Sequence, residues 1–230
     1  MTTSTPDAVE AFEHFYRGQS PVEGMTFSAV PWDVGQPQPL LVELESAGRI
    51  GGAVLDAGCG LGDNAIFLAS RGYQVTAVDG APTAVEWAER RASAHGVKVD
   101  FAVADVTDLS AYAGRFDSIV DSALYDCLDA EPRRQYAREL YRCARPSARL
   151  HLFCFSDEMP TDLPGVFRIT EADLREVLGG AGWRITTLRR GTYLVNEDAG
   201  AFFRRENIDV PFDDRGRVEL PAWVVEADRP

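Results

Sequence analysis

The feature that most constrains the fold of this chain is a glycine-rich turn between an apolar strand and a helix. Residues 54–62 read Val-Leu-Asp-Ala-Gly-Cys-Gly-Leu-Gly, and a run with helical spacing of apolar residues follows from Asp63. Glycines at three alternate positions let the backbone adopt positive φ and approach a ligand closely. This order of elements is typical of an open α/β sheet that binds a nucleotide-like cofactor at the end of its first strand.

The residues around this turn indicate which cofactor it accepts. A dinucleotide fingerprint has a glycine three residues after Gly60, but this chain has Asp63 at that position. Asp63 and Asn64 stand at the helix N-terminus that would bind a pyrophosphate, and Asp56 precedes the turn. Carboxylates repel phosphate but suit a ligand with an amine and a sulfonium. The pattern therefore favours S-adenosylmethionine over a nicotinamide dinucleotide.

Strands and helices alternate along the chain, as the spacing of apolar residues and the positions of glycine and proline indicate. The expected helices cover 7–17, 40–47, 63–71, 82–95, 132–144 and 170–180. The expected strands cover 53–55, 74–78, 97–103, 116–120, 150–155, 183–188 and 222–225. Residues 189–221 are expected to form a polar connection. The alternation predicts an α/β fold with a mostly parallel, doubly wound sheet and helices on both faces.

Length, charge and cysteine spacing restrict the class of protein. A chain of 230 residues is expected to form one domain, 1–230. Its 36 acidic against 23 basic residues give a net charge of −13, which argues against nucleic acid or an anionic membrane as a partner. No apolar run reaches the length of a membrane span. The four cysteines lack metal-ligand spacing and no secretory signal precedes them, so we expect a cytoplasmic protein without a metal site.

Three acids, Asp79, Asp105 and Asp121, are predicted at the ends of strands. Because ligands bind outside the carboxyl ends of the strands in open α/β sheets, these acids are expected to line one crevice. Asp79 lies 21 residues after Gly58, a spacing at which a carboxylate accepts both ribose hydroxyls of an adenosine. The alternative role of Asp79 is to cap the helix that begins at Pro82.

The remaining predicted cofactor contacts surround these acids. Asp105 is expected to accept from the adenine amino group with Val106 against the ring, the alternative being a solvated loop acid. Asp56 is expected to hold the amine of the ligand directly or through water, or else to accept from backbone amides of the glycine turn. The glycines in this predicted set are Gly58, Gly60 and Gly80.

Three side chains are candidates for chemistry on an acceptor. Tyr125 and Asp126 follow the fourth predicted strand, near the expected position of a transferable methyl group. Each is a candidate to orient an acceptor or remove its proton, and the alternatives are a packed tyrosine and a surface acid. His14 lies in the aromatic N-terminal segment and is the third candidate, although a lone histidine is more often structural or merely exposed.

The motif at residues 55–62, with Asp79 and Asp105 behind it, resembles that of class I S-adenosylmethionine-dependent methyltransferases. The resemblance covers about residues 50–225. It implies a Rossmann-like, seven-stranded sheet whose last hairpin, at about 183–188 and 222–226, is antiparallel. It also implies a helical N-terminal lid, here residues 1–36, that closes over the cofactor.

A second stretch is more specific within that family. Residues 31–39, Pro-Trp-Asp-Val-Gly-Gln-Pro-Gln-Pro, resemble the segment ahead of the core in the thiopurine and halide methyltransferase branch. This stretch and residues 116–122 are also similar to the actinobacterial heterocyclic toxin methyltransferase group. The resemblance implies that Trp32 and Gln36 lie near the methionine end of the cofactor. A histidine of the similar group aligns with Asp126, so the acceptor and any general base stay open.

These observations together predict an enzyme that transfers a methyl group from S-adenosylmethionine to O, N or S of a small aromatic or heterocyclic acceptor. Aromatic residues in the N-terminal segment and at 202–203 favour a flat, apolar acceptor. Two alternatives remain at this point: a methyltransferase that acts on a macromolecule, and a module that binds the cofactor without catalysis. The charge of −13 argues against RNA as the macromolecule.

Overall fold

The computed structural model describes residues 5–19, 30–163 and 165–230. Its helices are α1 (Thr5–Tyr16), α2 (Pro39–Ser46), α3 (Asp63–Ser70), α4 (Pro82–Ala94), α5 (Ala130–Cys143), α6 (Glu171–Ala181) and α7 (Glu197–Arg205). Its strands are β1 (Ala53–Ala57), β2 (Gln74–Asp79), β3 (Asp100–Val103), β4 (Phe116–Ser122), β5 (Ala144–Phe155), β6 (Arg184–Val195) and β7 (Val218–Asp228). No helix in these ranges is both long and apolar enough to cross a membrane.

The seven strands form one sheet in the order β3-β2-β1-β4-β5-β7-β6. The first five strands pair in parallel, whereas β7 runs antiparallel to both β5 and β6. The predicted doubly wound sheet with an antiparallel last strand is therefore confirmed. Right-handed crossover helices between the parallel strands explain why both faces of the sheet are covered.

Alternation along each central strand divides the core into two layers. Because successive side chains point to opposite faces, Leu55 packs in the layer that contains α5 and α6, and Val54 packs in the layer that contains α2, α3 and α7. Both side chains are fully buried. Burial of a leucine or valine contributes about 1.5–3 kcal/mol to stability, which explains why the strands read as short apolar runs in the sequence.

The order in which strands are added to the sheet reverses between β1 and β4, and this switch point determines the position of the site. From β1 the chain moves outward through β2 and β3, and then returns to β4 on the other side of β1. Ala57 and Asp121 form the last pair between these two strands. Gly58, which follows β1, and Ser122, the last residue of β4, therefore lie side by side at the switch point, where open α/β sheets bind their ligands.

The prediction that residues 189–221 form a polar connection is wrong. The strand β6 continues to Val195, α7 follows, and β7 already begins at Val218. The strand was missed because β6 lies at the edge of the sheet, where positions such as Arg189 and Arg190 are solvated. The helix was missed because it is rich in charge and is fixed by its buried Phe203 and by Asn196, whose side chain caps its first turn.

Candidate active site

The glycine turn follows β1 and requires glycine at two positions. Gly58 has φ 74°, and a Cβ there would lie 2.8 Å from the side chain of Leu124. Gly60 has φ 52°, and a Cβ there would lie 3.1 Å from the hydroxyl oxygen of Tyr16. Because both positions have positive φ and close neighbours, any larger residue would be strained and would fill the space above the turn.

The carboxyl of Asp79, at the end of β2, fixes the turn from the neighbouring strand. Its Oδ2 accepts from the Gly60 amide at 2.8 Å, and its Oδ1 accepts from the Ala81 amide at 2.9 Å. Burial raises the pKa of Asp79, and these amides offset part of the rise. A carboxylate has about four lone-pair sites, so each oxygen keeps one for a ribose hydroxyl. Asp79 also lines the large cavity of the protein, as the predicted ribose contact requires.

This cavity has a volume of about 800 Å³ and lies between α1 and the carboxyl ends of the strands. At one end it is lined by Gly80, Asp105 and Val106. Both hydrogen bonds of the exposed Asp105 use Oδ1, which accepts from the amide and hydroxyl of Thr107. The opposite end is apolar and consists of Phe155, Leu163, Val166, Val195, Ala199, Phe202, Phe203 and Leu220.

Asp56 is buried beside the glycine turn, and neither carboxyl oxygen has a hydrogen-bond partner of good geometry in the described part of the chain, although the nearby Ala65 amide lowers its pKa. The alternative prediction is that Asp56 accepts from backbone amides of the glycine turn. This is wrong for the first two amides of the turn, because those of Gly58 and Cys59 donate to the carbonyl of Val78. Burial raises its pKa to about 7, with further contributions from Asp121 and Asp79. Because Asp56 lies outside the lining of both cavities, an amine-bearing ligand would reach this carboxyl through a bridging water.

Asp121 lies outside the lining of both cavities, and this placement does not support its predicted role as a cofactor contact. Its Oδ1 accepts from the amides of Leu124 and Tyr125 at 2.9 and 3.4 Å, and its Oδ2 accepts from the hydroxyl of Tyr136 at 2.9 Å. The side chain is fully buried, and burial raises its pKa to about 7. Asp121 therefore holds the turn after β4 in place.

Tyr125 lies in the core, and this placement does not support a catalytic role. Its ring is fully buried, and its hydroxyl donates to Asp173 on α6 at 2.8 Å. The guanidinium of Arg133 lies 5.2 Å from the ring centre and pairs with the same Asp173 at 3.0 Å. Ala123, the first residue after β4, has a φ of 67° and redirects the chain ahead of Tyr125. Of the two predicted alternatives, the packed tyrosine is the one observed.

Asp126 is also buried, so the alternative prediction of a surface acid is wrong as well. Neither carboxyl oxygen has a hydrogen-bond partner of good geometry among the residues that the structure describes. Burial raises its pKa well above the usual value, and Asp121 raises it further. Its carbonyl oxygen accepts from the Phe167 amide at 2.7 Å. Asp126 thus lies in the core outside the lining of the cavity, and this placement does not support the predicted role as a base.

His14, Trp32 and Gln36 do lie at cavity surfaces. His14 lines the large cavity from α1, and Trp32 lines it beside the glycine turn. The Trp32 Nε1 donates to the hydroxyl of Tyr16 at 3.1 Å, and its ring meets those of Phe12, Phe15 and Tyr16 edge to face. Gln36 lines a second cavity of about 50 Å³ against the glycine turn, to which Trp32 also contributes.

The Trp32 segment, residues 30–38, is fixed to three parts of the fold. Arg91 on α4 donates to both carboxyl oxygens of Asp33, at 3.1 and 2.6 Å. Asn196 donates from Nδ2 to two carbonyl oxygens of the segment, and Gln38 pairs with the backbone of β6. The last described part of the predicted lid over 1–36, residues 30–36, is therefore attached to the rest of the fold. For α1 the lid stays a prediction, and 1–4 and 20–29 lie outside the described residues.

Two residues at the junction of the cavities were missed by the sequence-based prediction. Ser122 lines both cavities, and its Oγ lies 3.2 Å from the hydroxyl of Tyr193 on β6. The register of β4 could have identified Ser122, because it follows Asp121 opposite Gly58. Tyr193 carried no comparable signal, since it lies in the region predicted as a polar connection.

The residues around the turn fit S-adenosylmethionine. Asp79 retains lone pairs for a ribose, the unpartnered Asp56 suits an amine, and the aromatic cluster around Trp32 suits a sulfonium, because aromatic faces attract cations. Arg17 also lines the cavity, but its guanidinium pairs with Glu13 at 2.9 Å. When bound, the cofactor supplies an electrophilic methyl group. The chain then contributes by holding an acceptor in line with that methyl and by excluding water.

Comparison with known proteins supports this interpretation. The profile of a family described as methyltransferase domain matches residues 54–147. The 2-heptyl-1-hydroxyquinolin-4(1H)-one methyltransferase of Mycobacteroides abscessus is 33% identical over 235 residues, covering 98% of this chain and 99% of that protein. The ubiquinone biosynthesis O-methyltransferase of Xanthomonas axonopodis pv. citri is 41% identical over 99 residues, covering 38% and 41% of the two chains.

Two solved structures also have the fold described above. One described as the conversion of a disulfide bond into a thioacetal group during echinomycin biosynthesis has a TM-score of 0.80 and 33% identity, covering 96% of this chain and 92% of that one. The Burkholderia thailandensis 1,6-didemethyltoxoflavin-N1-methyltransferase has a TM-score of 0.60 and 23% identity, covering 83% and 76%, and shows the shared fold.

These similarities extend over nearly the whole chain, and they set aside the macromolecular methyltransferase and the non-catalytic module. The chain belongs to the class I S-adenosylmethionine-dependent methyltransferases and is an enzyme that methylates a small molecule.

Proposed function

We propose that the acceptor is a flat, hydroxylated nitrogen heterocycle that carries an apolar substituent. The observation that supports this most directly is the apolar end of the large cavity, formed by β5, β6, β7, α7 and the loop around Leu163. A cavity of about 800 Å³ is near the upper limit of the roughly 300–1,000 Å³ found for single-ligand sites, as expected where a cofactor and an acceptor bind together.

The charge distribution favours an acceptor without a charged substituent. Among the residues that the structure describes, the carboxyl, histidine and arginine side chains that line the cavity belong to residues 10–17 or to the Asp79 and Asp105 end. A charged substituent in the apolar end would lose its hydration without gaining a partner, which costs several kcal/mol or more. A hydrocarbon substituent would instead gain about 0.8 kcal/mol for each buried methylene.

The absence of a placed base at the described turn after β4 favours an acceptor that ionises without help. The Tyr125 hydroxyl donates to Asp173, and Asp126 is buried outside the lining of the cavity. A hydroxylated heterocycle of low pKa provides an oxyanion nucleophile at neutral pH without a protein base. His14, which lines the cavity, stays the remaining candidate for proton removal from less acidic acceptors.

The names of the relatives support the same class of acceptor. The Mycobacteroides protein is named for a hydroxyquinolone with a heptyl chain, and the Burkholderia structure holds a toxoflavin precursor and S-adenosylhomocysteine. Both are nitrogen heterocycles, and the heptyl chain has the chemistry that the apolar end of the cavity accommodates.

A screen with isotopically labelled S-adenosylmethionine tests the proposal. The panel contains 2-heptyl-1-hydroxyquinolin-4(1H)-one, the same heterocycle without the chain, and an analogue with a carboxymethyl group in place of the chain. We expect label in the first compound, less in the second and none in the third. Preferential methylation of the carboxymethyl analogue, or no label in any of the three, contradicts the proposal.

A sulfur acceptor is the second candidate function. It is favoured by the echinomycin-related structure, which has 33% identity and concerns sulfur chemistry. A mercapto analogue of the same heterocycle, included in the screen, tests it. Faster methylation of the thiol than of the hydroxyl compound would favour sulfur, and the reverse order would favour oxygen or nitrogen.

A further inference from the structure

Two hydroxyl groups meet where the two cavities adjoin. The Ser122 Oγ lies 3.2 Å from the Tyr193 Oη, and that Oη also donates to the Ser122 carbonyl oxygen at 3.3 Å. Ser122 lines both cavities and Tyr193 lines the smaller one. The pair brings together the end of β4 and the end of β6, two elements that are distant in the sequence.

The pair stands at the switch point of the sheet. Ser122 is the last residue of β4, and the pairing of Ala57 with Asp121 puts it opposite Gly58. The smaller cavity also contains Trp32, Gln36 and the remainder of the glycine turn. Ser122, which lines both cavities, therefore lies between the glycine turn and the apolar end where the acceptor is proposed to bind.

Ser122 is also distinctive in its polarity. Outside residues 5–17, the Trp32 segment and the Asp79 to Val106 region, two of the described lining residues have polar side chains, namely Ser122 and Cys127. The Cys127 thiol contacts the carbonyl of Ala123 at 3.3 Å, and burial raises its pKa, so it is a neutral and weak donor. Ser122 is consequently the strong hydrogen-bonding group that the sheet presents to an acceptor.

The hydrogen atoms of the pair leave one bond available for a ligand. If the Tyr193 hydroxyl donates to the Ser122 Oγ, the serine hydroxyl is available as a donor. If the Tyr193 hydroxyl donates to the carbonyl of Ser122, the serine hydroxyl donates to Tyr193 and its lone pairs remain available. Burial raises the pKa of Tyr193, so it remains a phenol and the pair serves to orient rather than to deprotonate.

We propose that Ser122, held by Tyr193, hydrogen-bonds the acceptor next to the atom that receives the methyl group and so selects which atom is methylated. This inference rests on the proposed function, and it adds a residue pair that determines specificity. An acceptor with two nucleophilic atoms is the informative substrate, because its product ratio reports orientation independently of the amount of active enzyme.

The test uses 2-heptyl-1-hydroxyquinolin-4(1H)-one, whose N-hydroxyl oxygen and 4-oxo oxygen are both nucleophiles. For Ser122→Ala and Tyr193→Phe we expect kcat/KM for this acceptor to fall about tenfold, as loss of a hydrogen bond predicts, and the ratio of the two methylated isomers to shift. Ser122→Thr keeps the hydroxyl and is expected to restore the wild-type ratio. The dissociation constant for S-adenosylmethionine, measured by calorimetry, is expected to stay the same.

Ser118→Ala is the matched control. Ser118 lies on the same strand, is buried, and exchanges two hydrogen bonds with Gly51 at the opposite end of β4. Its loss is expected to lower stability without a change in isomer ratio. If Ser122→Ala does not fold, Tyr193→Phe carries the test, since it removes a single oxygen atom.

Three results would overturn parts of the account separately. An unchanged isomer ratio in both variants, with an active wild type, would overturn the role of Ser122 alone. Weaker cofactor binding with an unchanged ratio would make Ser122 a cofactor contact and would also overturn this role. A wild type that methylates neither oxygen would contradict the proposed function, and this inference with it.

Discussion

The Gly60 amide donates to Asp79 Oδ2 at 2.8 Å, so the glycine turn after β1 and the acid at the end of β2 form one unit. The same carboxyl accepts from the Ala81 amide at 2.9 Å, which ties the start of α4 to the turn. One carboxylate therefore fixes both walls of the cofactor end of the cavity. Its remaining lone pairs are the proposed ribose contact.

Substitution of Asp79 is expected to weaken cofactor binding. Asp79→Asn keeps the shape but loses a charged acceptor, and hydrogen bonds to charged groups contribute about 1.5–3 kcal/mol each. We expect S-adenosylmethionine to bind at least tenfold more weakly in calorimetric titration. The control is Asp108→Asn, which changes an exposed acid paired with Arg142. Equal affinities of wild type and Asp79→Asn would refute the ribose assignment.

Binding of the cofactor is expected to release a proton near neutral pH. Burial raises the pKa of Asp56 to about 7, so much of this carboxyl is protonated at pH 6.5 in the free enzyme. A cationic amine nearby would lower that pKa, so affinity should rise with pH between about 6 and 8. Titrations in buffers of different ionisation enthalpy measure the released proton. Asp56→Asn should abolish the release, and release of the same size in that variant would exclude Asp56 as its source.

The same raised pKa has a consequence for the stability of the free enzyme. The folded state binds the Asp56 proton more tightly than the unfolded state, so the contribution to stability is full below the ordinary pKa of about 4 and is lost as pH rises through 7. Asp121, whose pKa is also raised to about 7, acts in the same direction. Both groups therefore favour a free enzyme whose stability declines from pH 5 to pH 8.

Tyr125→Phe is expected to affect stability rather than catalysis. The variant loses the hydrogen bond to Asp173, which should lower the free energy of unfolding by about 1.5–3 kcal/mol because the acceptor is charged. We expect kcat/KM to remain within about twofold of the wild type for acceptors of any pKa. Denaturant unfolding and steady-state kinetics measure the two quantities. A loss of kcat/KM that grows with acceptor pKa would instead restore the role of a base.

Amide exchange is expected to separate α1 from the Trp32 segment. Among the described residues, Glu13 ties α1 to the start of α4 by accepting from the amide and hydroxyl of Thr83. Residues 30–38 are already bound to α4, β6 and α7. S-adenosylmethionine should therefore slow exchange in 5–16 more than in 30–38. Equal protection of both segments would argue against α1 as a lid.

The central part of the fold could be predicted because its signals are local. The apolar run before Gly58, the alternating glycines and the distance to Asp79 all lie within a short stretch, and each has one physical explanation in a parallel sheet. The structure gives β1, the turn and β2 the predicted order and places Asp79 at the cavity.

The direction of side chains after β4 could not be predicted. Ala123 adopts φ 67°, a conformation that costs about 1–2 kcal/mol for a residue with a side chain, and it turns Tyr125 and Asp126 into the core. Local hydrogen bonds from the Leu124 and Tyr125 amides to Asp121 stabilise this turn, and a tertiary hydrogen bond from the Tyr125 hydroxyl to Asp173 holds the tyrosine in the core. No local pattern in residues 121–127 indicates the distant partner Asp173.

The apolar end of the cavity was missed for a related reason. Its residues come from β5, β6, β7, α7 and the loop around Leu163, which are separated along the chain and meet through packing alone. The sequence predicts that the aromatic residues Phe202 and Phe203 favour a flat acceptor, but it also predicts that they lie in a polar connection rather than on a helix. The charged residues of α7 give this stretch a polar composition, so its buried face is not evident from the sequence.

The relative rates of a matched pair of acceptors test the central claim most directly. The wild-type kcat/KM is measured for 2-heptyl-1-hydroxyquinolin-4(1H)-one and for 1-hydroxyquinolin-4(1H)-one, which has the same reacting atoms without the chain. Burial of even two methylenes is worth about 1.6 kcal/mol, so the apolar end should favour the heptyl compound by tenfold or more. Equal values, or a preference for the shorter compound, would contradict the assignment of this end of the cavity to the acceptor.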